Sequence, residues 1–116
     1  QGYRENLIAT IDLGVKKEVS SISLGCIQDI KSWIFFPKQV KYFGSTNGKD
    51  FTFLGRVNTM FSDNLEGSLI TNYTLKLSDS KVQYIKVIAE NYGICPDWHL
   101  GAGGKTWLFV DELQIK

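Results

Sequence analysis

The stretch Leu7 to Cys26, LIATIDLGVKKEVSSISLGC, carries two runs of alternation around a charged centre. Leu7, Ala9, Ile11 and Leu13 alternate with Ile8, Thr10 and Asp12; Ile22, Leu24 and Cys26 alternate with Ser21, Ser23 and Gly25. Side chains that recur every second residue line one face of a β-strand and leave the other face to solvent. Gly14 is expected to end the first strand and Val19 to open the second.

The same period continues outward. Val40 to Gly44, Phe51 to Val57, Leu69 to Leu77, Gln83 to Ala89 and Thr106 to Ile115 repeat it, the last divisible into two short strands. Seven or eight strands joined by Gly, Asn, Asp and Ser predict an all-β fold, an antiparallel β-sandwich of the jelly-roll kind. Residues 65–70 carry no helical stripe, and the βαβ spacing of a parallel sheet is missing. The sequence Ser45-Thr46-Asn47-Gly48-Lys49-Asp50 is the clearest turn. Its Asn-Gly pair tolerates positive φ and predicts a tight hairpin between Tyr42 and Phe53. Pro37 belongs at a strand start or an edge, where its missing N–H costs nothing.

A chain of 116 residues makes one domain, 1–116. Its 13 Lys plus Arg against 12 Asp plus Glu give no electrostatic reason for nucleic acid or an anionic membrane as partner. No apolar run approaches the roughly 18 residues of a transmembrane segment. The start at Gln1 reads as a processed chain or an excised fragment. Cys26 and Cys95 have neither metal spacing nor redox spacing. One disulfide and two separate buried thiols both fit them.

Catalysis finds little support in these residues. Asp111 and Glu112 are neighbours on a strand and point to opposite faces, so they cannot flank a glycosidic bond as a hydrolytic pair must. His99 has no nucleophile at a local spacing. Carbohydrate binding is better served, because a sugar offers an apolar C–H face to an aromatic ring and hydroxyls to polar donors. Trp98 and His99 open a loop containing Gly101, Gly103 and Gly104; Asn91 and Tyr92 end the strand before it; Trp33 follows the segment 28–32. These five are the candidate ligand-binding residues, expected at one end of the sandwich. Each has a structural alternative: Trp33 and Trp98 as core, and His99 as a loop cap. Trp107, in mid-strand, is expected in the core.

Four segments carry a family resemblance: IDLG (Ile11 to Gly14), WIFFPKQVKYFGSTNGKDF (Trp33 to Phe51), VQYIKVIAEN (Val82 to Asn91) and PDWHLGAGGKTWLFVDELQI (Pro96 to Ile115). Together they resemble the discoidin-like, or coagulation-factor type C-like, galactose-binding-domain fold. Within it they resemble most the C-terminal accessory domain of bacterial family 20 β-hexosaminidases. The resemblance implies a non-catalytic, carbohydrate-binding-type domain of a periplasmic or extracellular β-N-acetylhexosaminidase, a glycoside hydrolase. Its partners would be a weakly held glycan or the parent catalytic domain. It also implies a possible structural calcium, with Glu112 as the metal ligand. Such domains open with a further strand and an Asp-Gly loop, which this chain is expected to lack. A bare edge at residues 1–6, open to self-association, would follow. A purely structural sandwich packed on the catalytic domain, and a protein- or lipid-binding discoidin domain with Ile30 and Lys31 at its rim, remain the alternatives.

Overall fold

A computed structural model of the chain describes residues 2–3, 6–29, 34–59, 68–91 and 108–116. They form six strands: β1 (Gly2–Tyr3), β2 (Leu7–Asp29), β3 (Gln39–Ser45), β4 (Thr52–Asn58), β5 (Ser68–Ala89) and β6 (Leu108–Ile115). All pairings are antiparallel, in the order β1-β6-β2-β5-β3-β4.

Strands β2 and β5 decide the shape. They pair along nearly their whole length, from Leu7 opposite Ala89 to Asp29 opposite Ser68. A straight 23-residue strand would reach about 75 Å at ~3.3 Å per residue. The longest dimension of the molecule is 47 Å, so both strands must bend. They do so where the register slips, between Asp12 and Lys17 and between Val19 and Ser21. Extra residues on one strand bend it and raise its local twist. Gly14 lies in this interval at φ +86°, a conformation costly for other residues, and its N–H is taken by Asp12 Oδ1 at 2.8 Å.

Beyond the bend the pair folds back on itself. One layer, layer I, consists of β1, β6, the second half of β2 and the first half of β5. The other, layer II, consists of the first half of β2, the second half of β5, β3 and β4. The alternation read from the sequence aims Ile22, Leu24, Cys26, Tyr73 and Leu108 inward from layer I. They meet Leu7, Val40, Tyr42, Ile85, Val87 and Ala89 from layer II in one buried core.

The structure thus bears out the all-β antiparallel sandwich and corrects its strand boundaries. Gly14 does not end a strand, and the segments 7–14 and 19–26 are halves of one. The segments 69–77 and 83–89 are likewise halves of β5. A left-handed glycine between two paired stretches, with the register resumed at Lys17, makes a bulge where a free chain would make a turn. The Asn-Gly hairpin is wider than expected, with six residues between β3 and β4. Asn47 Oδ1 accepts from Ser45 Oγ and from the N–H groups of Lys49 and Asp50, at 3.0, 2.8 and 2.9 Å. Gly48 keeps the positive φ, +77°, and lies so close to the Tyr84 ring that a Cβ there would stand 3.1 Å from it. Pro37 is buried two positions before β3. The edge expected at residues 1–6 is paired in part: Gly2 and Tyr3 pair with Phe109 and Leu108, while β1 remains the outermost strand of the order and positions 7–12 of β2 pair with β5 alone. Trp107 falls outside the described residues.

One side chain joins the two layers by hydrogen bonds. Tyr42, fully buried, reaches from β3 across the core. Its hydroxyl accepts the Leu24 N–H at 3.1 Å and donates to the Tyr73 carbonyl, two residues directly opposite each other in the β2–β5 ladder. Burial pushes the ionisation of this phenol well up, so it stays a neutral hydroxyl able to serve both roles. A further chain runs through Tyr73. Its hydroxyl lies 2.6 Å from Thr59 Oγ1, which spends its own proton on the Pro37 carbonyl; the tyrosine is therefore the donor between them.

Tyr42→Phe leaves a buried N–H and a buried carbonyl without this partner, which costs about 1–3 kcal/mol. Urea unfolding is expected to show a lower midpoint with an unchanged slope; an unchanged midpoint would show that the bridge contributes nothing. Cys26 is a free and fully buried thiol whose pKa desolvation raises to about 12. Peptide mapping after iodoacetamide at pH 8 is expected to find Cys26 alkylated only when denaturant is present, because the thiolate is the nucleophile.

Candidate functional site

The fold back of β2 and β5 brings three connections to one end of the sandwich. Asp29 closes β2 there and is bridged to Ile34, with N–H to carbonyl distances of 2.8 and 3.0 Å; positions 30–33 lie between them. Thr59 follows β4, its N–H given to the Lys38 carbonyl at 3.3 Å, and Ser68 opens β5 opposite Asp29, with 60–67 between. Asn91 follows β5 and Leu108 opens β6, with 92–107 between. The anchors of all three connections therefore stand around the same rim.

Asn91 is the one predicted ligand-binding residue within the described structure. It is half-buried, and its N–H is held by Asn6 Oδ1 at 2.9 Å, which ties the exit of β5 to the entry of β2. Trp33, Tyr92, Trp98 and His99 lie outside the described residues. The sequence places them on the connections 30–33 and 92–107, whose anchors share this rim.

Two groups at this end escaped the sequence reading. Gln28 is buried in the row of Ile22, Leu24 and Cys26. Its Oε1 accepts the Phe36 N–H at 3.3 Å, while its Nε2 has no partner among the described residues. A polar residue at an inward position of the alternation was the available signal. The other group is Glu90, whose carboxylate takes hydrogen bonds from Gln39 Nε2 at 2.9 Å and from Lys41 Nζ at 3.0 Å. These contacts, Gln39 first and Lys41 next, hold its carboxyl below the usual carboxylate range.

Glu112 is exposed on β6. Among the described residues no three His, Cys, Asp or Glu side chains stand close enough to hold a metal ion. Near Glu112 is a mostly apolar cavity of about 170 Å³ between the layers, lined by Leu7, Ala9, Leu24, Val87, Val110 and Leu113. No described helix is long and apolar enough to cross a membrane.

No protein-family model matches the chain, and no curated protein sequence matches it. Solved structures with the same fold do exist. The C-terminal domain of a chitobiase from Bacteroides fragilis matches 96% of this chain and 62% of its own length, at 17% identity and TM-score 0.54. The module CBM32-3 of a family 31 glycoside hydrolase from Clostridium perfringens matches 96% of this chain and 67% of its own, at 15% identity and TM-score 0.62. A third, CBM32-5 from the same organism, is in complex with GalNAc-β-1,3-galactose; it matches 93% and 63%, at 19% identity and TM-score 0.56. The chain thus spans about two thirds of the length of these structures and shares the fold of carbohydrate-binding modules.

Glu90 gives the rim a dependence on pH. Its folded-state pKa is lowered, so its contribution is present above the unfolded value of about 4.3 and lost as pH falls through the lower folded value. Chemical denaturation from pH 6 downward is expected to show a smaller acid loss for Glu90→Gln than for the native chain. Parallel curves would mean that the pair with Lys41 and Gln39 has no energetic weight.

Proposed function

We propose that this chain is a non-catalytic carbohydrate-binding accessory module of a bacterial glycoside hydrolase, one that acts in the periplasm or outside the cell. The observation that carries this reading is the convergence of three loop anchors on one rim, because the sequence puts Trp33, Tyr92, Trp98 and His99 on those loops. The likeness of the fold to glycoside-hydrolase modules supports it, and the chitobiase domain favours a β-N-acetylhexosaminidase as the parent.

In this reading Trp98 lies against the C–H face of a sugar, His99 exchanges hydrogen bonds with its hydroxyls, and Trp33 or Tyr92 forms the opposite wall. Asn91, whose backbone N–H is fixed by Asn6, stands at the edge. The glycines at 101, 103 and 104 let the backbone approach without side-chain obstruction. Binding is weak, because a shallow site buries little area and competes with water for the hydroxyls. The module then works by holding its parent enzyme near glycan.

A glycan array followed by titration calorimetry tests this. A neutral hexosamine- or galactose-containing glycan is expected to bind, and Trp98→Ala to abolish binding with the melting temperature within a few degrees of the native value. An array without hits, or a folded Trp98→Ala variant of unchanged affinity, overturns the assignment.

A further inference from the structure

The outer face of layer II carries an arrangement that neither the core nor the loop rim uses. We propose that it is a second ligand surface, shaped for a saccharide that bears a carboxylate on its ring. It is separate from the rim and does not depend on Trp98 or His99.

The ladder sets the residues in rows across four strands. Phe53 of β4 stands opposite Phe43 of β3, Phe43 opposite Lys86 of β5, and Lys86 opposite Thr10 of β2. The two phenylalanine rings meet edge to face with centroids 5.4 Å apart. The Lys86 ammonium lies 5.4 Å from the Phe43 centroid and 4.9 Å from that of Phe51. Phe53 is 52% exposed. The solvent face of a sheet does not need three phenylalanines for stability, and an open Phe53 beside the half-buried Phe43 and Phe51 points to a partner.

The charges on this face indicate what that partner carries. Each acid here is already engaged within the chain. Glu90 takes Gln39 and Lys41; Asp12 takes the Gly14 N–H and Gln83 Nε2; Asp50 takes Asn47 Nδ2 at 3.0 Å. The cations Lys86 and Arg56 have no carboxylate partner among the described residues. An aromatic platform with an open ammonium at its centre accepts a ring with an apolar face and an anionic substituent. A sugar ring bearing a carboxylate, a uronate, has both. Phe53 and Lys86 stand two strand spacings apart, about 10 Å, a span that two linked sugar rings cover. Thr10, next in the row, adds a hydroxyl. The row around the open cation is aromatic, and the aliphatic pair Ile8 and Ile88 lies in the neighbouring row.

The test is amide-resolved NMR titration of the chain with a hyaluronan hexasaccharide, its carboxyl-reduced counterpart, and polyglutamate of equal charge. The acidic sugar is expected to shift the amides of Thr10, Phe43, Phe53 and Lys86. The reduced sugar is expected to bind there at least tenfold more weakly. Lys86→Met is expected to lose at least tenfold in affinity, and Phe53→Ser, at an exposed position, serves if the lysine variant fails to fold. Trp98→Ala is expected to leave these shifts in place, which separates this surface from the rim. Three results overturn the proposal: no shifts on these strands, unchanged affinity in a folded variant, or polyglutamate that shifts the same amides as strongly as the sugar.

Discussion

Strands β2 and β5 stay paired from one end of the sandwich to the other although neither can remain straight. Every other strand takes its place from that pair. β6 reads its register from the second half of β2, and β3 from the second half of β5; β1 and β4 then add to the outside. If the bend at 12–21 were straightened, the inward rows of the two halves would face solvent on one long sheet. The bend is therefore what creates a core.

Closure of the layers has two parts. Apolar rows supply most of the driving force, since Ile22, Ile85, Val40 and Val87 are almost wholly removed from water. Such contact is non-directional and fixes no alignment by itself. The Tyr42 hydroxyl does, because a buried Leu24 N–H and a buried Tyr73 carbonyl are met only when β3 lies at one height against layer I. Close approaches refine this alignment. A side chain at Gly55 would come within 2.9 Å of Leu75, and one at Gly44 within 2.8 Å of Val82. Glycine at 55 lets β4 settle onto the layer beneath, and glycine at 44 lets β3 lie close to β5 near the bend.

The same bend organises the surfaces. It returns the exit of β2 to the level of its own entry, so the connections after Asp29, Thr59 and Asn91 leave from one rim. It also leaves a broad outer face on layer II, where cross-strand neighbours drawn from four strands form rows. One end and one face thus differ in chemistry: the first gathers loops and amides such as Gln28 and Asn91, the second presents rings and cations.

Alternation at period two was enough to establish strands, their inward rows and the antiparallel class, since the positions of Leu7, Ile22, Leu24 and Cys26 depend only on local geometry. What the sequence could not decide was whether a glycine interrupts pairing. Gly14 reads as a strand end because its left-handed conformation is visible locally, while the partner strand that carries pairing past it lies some 70 residues away. The candidate rim was legible as residue types, tryptophan, histidine and asparagine beside glycines, and was expected at one end; among these residues the structure describes only Asn91, together with the strand ends from which the connections leave. Lys86 was less legible still. It reads as an ordinary outward lysine until the fold sets Phe43 and Phe51 around it, since those rings arrive from other parts of the chain. Local geometry is written in consecutive residues; the company a side chain keeps is settled only when distant strands pair.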